Sequence, residues 1–340
     1  MDNSEETTMI VGLPSPSEEC TGSAKDWQGD WFHLNLNKND LCFLQDTVHI
    51  LTKLRTRILK RGVILPMGKF TANVKHLQKL IQHQTKDKHF ITKSDLIPED
   101  KMNYESARRM CDEKAMHLLN EIPDSAGTNI YLKMMNFLIK SFIDKDVTLS
   151  ERLYAIWYTI FFLRLWRTRL RNHSKFKLSD NFISSNCYTC IEMNGHMLIK
   201  LIYIFQEDDT FIPEMFCPWL FSSQTCEHLF RSARSLTSTH CTMINFSIKD
   251  FISRVDRIAL INEIKSDLCN NFIFPREQKR MKMNTSTTIT KNCIESIDIK
   301  EIIKMAQNDA INDAFNLKMD VNINMCNILD LSANLEEVAE

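Results

Sequence analysis

Apolar residues recur along this chain mostly at helical rather than alternating spacing. Val48, Leu51, Leu54 and Ile58 share one face of a helix predicted over 48–60. Lys53, Arg55, Arg57, Lys60 and Arg61 lie largely off that face, and Gly62 is placed to end it. Just before it, Leu41–Leu44 is a short apolar run ending at Gln45-Asp46, the pattern of a buried strand. Further helices are predicted over 71–83, 104–122 and 129–143. Thr148-Leu149-Ser150-Glu151 opens another with a hydroxyl cap, running to about Arg171. Helical spacing continues over 181–205, from Ser223 to Leu236, and over 245–267. Pro66-Met67-Gly68 reads as a turn, Pro98 as a boundary, and Pro213 and Pro218 bracket a short apolar segment.

The outer segments look different. Residues 1–30 are polar, with Pro14, Pro16 and several Ser and Glu, and read as disordered. Residues 277–293 are basic, then rich in Ser, Thr and Asn, and read as a linker. Residues 294–340 hold two weak amphipathic segments and end in Glu336, Glu337 and Glu340, an expected acidic, weakly helical tail.

Composition supports helices. Only 7 Gly and 8 Pro occur, against about 24 and 17 at average usage. Tight hairpins should therefore be few and the fold mainly α with a small β component. The formal net charge of -1 excludes a globally basic DNA-coating protein but leaves local basic faces open. Met1–Thr8 is polar and acidic, without the basic flank and apolar run of a signal peptide. The 11 cysteines are then expected reduced, in a nuclear or cytoplasmic setting. The most apolar stretch, Tyr154–Trp166, is too short to span a membrane and is interrupted by Arg164, so no membrane partner is expected.

Two stretches can carry chemistry. In the first, Gln45-Asp46-Thr47-Val48-His49, an Asp ends a strand and begins a helix. Such a carboxylate at a sheet rim can bind a divalent metal, or can simply cap the helix. His49, Lys53 and Arg57 follow at one-turn spacing, a row that can face phosphates or solvent. In the second, Ser222-Ser223-Gln224-Thr225-Cys226-Glu227-His228-Leu229-Phe230-Arg231-Ser232-Ala233-Arg234, Glu227 falls in a first helical turn. There it can project into a cleft or answer the helix dipole.

Together these stretches resemble the segments around the second catalytic Asp and the catalytic Glu of P-element and hAT DNA transposases, over roughly residues 40–275. The resemblance implies an incomplete ribonuclease H-like α/β core interrupted by a large all-helical insertion domain. Its implied organisation is a partial core over 31–95, the insertion over 96–212 and the core's C-terminal helices over 213–276. Asp46 and Glu227 would then be catalytic metal ligands for Mg²⁺ or Mn²⁺, activating water and then a DNA 3′-hydroxyl. The family's first Asp has no convincing counterpart: Asp26, Asp30 and Asp40 sit on no predicted strand. The expectation is thus a transposon-derived protein that binds DNA and is catalytically incomplete, and the resemblance implies a homo-oligomer. An active fragment of a longer enzyme and an unrelated helical scaffold are the alternatives.

Expected DNA contacts are His49, Lys53, Arg55 and Arg57, then Arg164, Arg167, Arg169 and Arg171 around Trp166, and finally Arg231 and Arg234. The arginine run can equally complement a helix dipole with Trp166 in the core. Cys187 and Cys190 form a C-x-x-C that could bind zinc with Cys217, Cys226 or His228, or lie buried on a helix. His196, on an apolar face, reads as a core histidine, and Gln278-Lys279-Arg280-Met281-Lys282 as a weak nuclear-import patch.

Overall fold

A computed structural model describes residues 8–11, 42–207, 210–236, 247–268 and 291–319. The basic run at 278–282, most of the expected linker and the acidic end at 336–340 lie outside the described residues. So do Asp26, Asp30 and Asp40. The fold is mainly helical. The chain divides into two compact units, Met1–Phe221 with Thr287–Glu340, and Ser222–Ser286.

The larger unit begins with strands β1 (Thr8–Val11) and β2 (Cys42–Gln45), paired antiparallel with Thr8 opposite Gln45. Thr8–Val11 falls in a stretch whose polar composition reads as disordered. Its four residues Thr-Met-Ile-Val are nevertheless a short strand sequence, and β2 supplies the partner they cannot find locally. Helix α1 (Thr47–Leu59) follows, as the spacing predicts. Strands β3 (Leu65–Met67) and β4 (Phe70–Ala72) form a second antiparallel ribbon. Pro66 and Met67 therefore belong to a strand and not to the turn, which is left to Gly68 and Lys69. Gly68 has φ +65°, and a Cβ there would lie 1.8 Å from the carbonyl oxygen of Leu317.

Helix α2 (Val74–His83) starts three residues later than the predicted 71–83, because Thr71 and Ala72 belong to β4 and Asn73 caps the helix through the Lys75 N–H. A short helix α3 (Lys86–His89) leads to α4 (Tyr104–Met110) and α5 (Glu113–Leu119). The predicted single helix over 104–122 is broken at Cys111-Asp112, where Asp112 turns its side chain to cap α5. Helices α6 (Ala126–Phe142) and α7 (Leu149–Arg171) come next, α7 opened by a capping box between Thr148 and Glu151. A short α8 (Leu178–Asn181) precedes Phe182–Ser184, and the helix predicted over 181–205 is α9 (Ser185–Glu207). After α12 (Lys291–Glu295), α13 (Ile299–Asn316) packs along α7. Ile299, Ile303, Ala306, Ala310, Ala314, Leu317 and Met319 are buried, so this part of the expected acidic tail is core.

The core of this unit centres on α7. Trp157, Tyr158, Phe161, Phe162 and Trp166 are fully buried, with α6, α9 and α13 packed around them. The smaller unit is a pair of helices, α10 (Gln224–Ser235) and α11 (Ile248–Leu268). Phe230 stacks on Phe251 at 4.9 Å, and Arg254 donates to the Ala233 carbonyl at 2.7 Å. Among the described residues no helix is long and apolar enough to cross a membrane.

Candidate functional site

The joint between β2 and α1 is built as its sequence suggests. β2 delivers Asp46 to the helix N-terminus, where its Oδ1 accepts the Val48 N–H at 2.8 Å. Asp46 is only 1% exposed. The side chain of Asn194, on α9, fixes the strand end: its Oδ1 accepts the Gln45 N–H and its Nδ2 donates to the Gln45 carbonyl, both at 2.9 Å. Buried amide-to-backbone pairs of this kind hold register, since breaking one strands a donor and an acceptor.

The row His49, Lys53, Arg57 does lie along α1, half-buried, and protein groups engage it. Lys53 donates to Asn186 Oδ1 at 3.3 Å, and Arg57 donates to the carbonyls of Phe182 and Ser179, both at 2.7 Å. Arg55 departs most from expectation. It is 0% exposed and donates to the carbonyls of Asp95, Ile97 and Asp100. It clamps the 95–100 loop onto α1 and presents no face to a nucleic acid. Burial also lowers its pKa, against the neighbouring charges of Asp100 and Asp95.

The arginine run on α7 separates by depth. Arg164 forms a two-pronged ion pair with Glu192 of α9, Nε to Oε1 and Nη2 to Oε2, both 2.7 Å, with both residues buried. Tyr188 donates to Glu192 Oε1 at 2.8 Å. Burial by itself would raise the Glu192 carboxyl, but the charge and hydrogen bonds of Arg164 override it and hold the carboxyl below its usual range. His196 is fully buried, edge-on to Trp157 at 5.2 Å, with Nε2 3.9 Å from Glu192 Oε2. Arg167 is 9% exposed and lies 4.9 Å over the Tyr188 ring. Arg169, half-buried, donates to the carbonyls of Lys318 and Gly68, tying α13 to the β3–β4 turn. Trp166 is in the core, its indole N–H donating to the Pro66 carbonyl. Arg171 is at the surface. Arg55 and Arg164 are therefore internal fastenings, contrary to their expected role on DNA.

This inward use of charge was not visible residue by residue. One signal for it is present: Tyr188, Glu192 and His196 repeat every fourth residue along α9, the mark of a polar row facing another element.

In the smaller unit Glu227 is exposed in the first turn of α10, accepting from Ser223 Oγ at 3.2 Å and Gln224 Nε2 at 3.3 Å. Arg231 and Arg234 are exposed on the same helix. Cys187 and Cys190 are buried on α9, and burial pushes the Cys187 thiol up to about 12. Among the described residues no group of three or more His, Cys, Asp or Glu side chains is arranged to hold a metal ion. Asp46 is buried, and its Oδ1 accepts the cap hydrogen bond from Val48.

Comparison of the chain with known protein families, with curated proteins and with solved structures finds no match.

Proposed function

We propose that this chain is a transposon-derived, transposase-like protein that holds DNA without cutting it, its ribonuclease H-like core incomplete. One observation carries the reading. A strand runs directly into Asp46 and a helix, and after a long helical stretch Glu227 opens α10, the order the resemblance calls for. The Asp46 carboxylate caps its own helix at 1% exposure, which supports the non-cutting form.

With Arg55 and Arg164 turned inward, the phosphate contacts fall to Arg171 on the larger unit and to Arg231 and Arg234 on the smaller one. Fluorescence anisotropy of a labelled duplex, titrated between about 50 and 200 mM salt, tests this. Binding should weaken with salt, and Arg231→Gln should flatten the log–log slope by about 0.9. Salt-independent or absent binding sinks the proposal. Strand cleavage in Mn²⁺ that disappears in Glu227→Gln would instead show an active enzyme. The engagement of Arg55, Arg57 and Arg164 by protein groups favours a second reading, a helical scaffold with no nucleic-acid role, which the absence of DNA binding would leave standing.

A further inference from the structure

Helix α11 carries more apolar surface than α10 covers. Phe251 and Ile258 lie on one face, with Phe251 against Phe230 of α10 and Ile258 buried. A second stripe, Ile248, Ile252, Val255 and Ala259, runs beside it. Ile248 is 81% and Ile252 57% exposed, Val255 is half-buried and Ala259 is exposed. The intervals of four, three and four residues are those of a coiled-coil seam, which keeps such side chains in line along a partner helix. Isolated exposed apolar residues need no explanation, but a continuous seam at this spacing does.

We infer that this seam binds a second copy of the same chain, with the two α11 helices antiparallel. The register follows from packing alone. Four apolar layers form only when Ile252 faces Val255 of the second copy and Ile248 faces its Ala259, each contact occurring twice by symmetry. Antiparallel helices bring together the residues that flank the seam on the same side. On the outer side these are Lys249 and Asp256, both exposed. The apolar register sets Lys249 beside Asp256 of the second copy, again twice, so a pattern chosen for packing also satisfies the charges. On the inner side it sets Phe251 beside Ile258 of the second copy, extending the α10–α11 core. A parallel, in-register pair places Asp256 against Phe251 and forms no such ion pair. The assembled product is a four-helix bundle made from two α10–α11 hairpins. The inference uses residues of the smaller unit only and does not depend on DNA binding.

Sedimentation equilibrium of the full chain tests it, without DNA, so its failure is separate from that of the functional proposal. The expected species is a dimer of twice the 39.8 kDa chain mass. Ile252→Asp, at an exposed position, should weaken dimerisation at least about tenfold while leaving the far-UV circular dichroism intact. Asp256→Lys should weaken it through facing lysines, and Lys249→Asp combined with Asp256→Lys should restore it. A chain that stays monomeric up to roughly 100 µM overturns the inference. So does a dimer indifferent to Ile252→Asp, or a double charge reversal that fails to rescue.

Discussion

Helices α7 and α11 are similar in length and in their spread of apolar residues around the axis, yet they meet different fates. α7 is enclosed by α6, α9 and α13, and its aromatic residues are at or near 0% exposure. α11 has α10 beside it within its own unit and leaves Ile248, Ile252, Leu260, Ile261 and Ile264 exposed. An apolar stripe therefore says that a helix needs covering, and does not say what covers it. In the larger unit the cover comes from the chain itself, including α13 from far along the sequence.

The contrast predicts a graded set of outcomes. Trp157→Ala, at the centre of the enclosed helix, should cost about 3–5 kcal/mol in a urea denaturation. A loss below about 1 kcal/mol would mean that α7 is not the centre of the core. Glu192→Gln removes one partner of the buried Arg164 pair and leaves a guanidinium short of its counter-charge. The expected cost is about 3 kcal/mol, and Arg164→Met with Glu192→Leu should recover much of it.

Acid should probe the larger unit through Asp95. Burial raises its carboxyl, but hydrogen bonds from Arg109, Ser106 and Thr92 outweigh that and hold it at about 2, below its ordinary 3.8. A carboxyl depressed by folding stabilises the fold above its unfolded pKa and ceases to do so as pH falls through the folded value. About 2 kcal/mol should thus disappear between pH 3.8 and about 2. Asp95→Asn should flatten that part of the stability–pH curve. If the curve is unchanged, the clamp made by Arg109 is not formed. The smallest effect is expected on α11. Leu260→Ala, exposed and away from the proposed seam, should shift stability by no more than about 0.5 kcal/mol. A larger loss would show that α11 is covered on that side too.

Local signals in this chain decide its structure where the cause is local. The Thr148–Glu151 capping box, the strand leading into Asp46, the opening of α10 at Ser223 and the helical face of Val48, Leu51, Leu54 and Ile58 all follow from neighbours within one or two turns. The break between α4 and α5 does not follow from spacing, because an Asp inside a helical pattern can stay in the helix or cap the next one, and the surrounding packing decides. The burial of Arg55 does not follow from hydropathy, which counts a guanidinium as surface, while carbonyls forty residues away satisfy its donors inside. At Asp46 the residue pattern allows both metal binding and helix capping, and the structure shows its carboxylate on the Val48 N–H.

By itself the sequence determined the helical character, the Thr148–Glu151 cap and the apolar face of α1, because those depend on spacing and on side-chain chemistry within a few residues. Only the tertiary structure decided that Asn194 would lock Gln45, that Glu192 would draw Arg164 inside and that α13 would close over α7. Each of those contacts joins residues distant in the chain, and a buried charge or amide takes its role from the partner that folding brings to it.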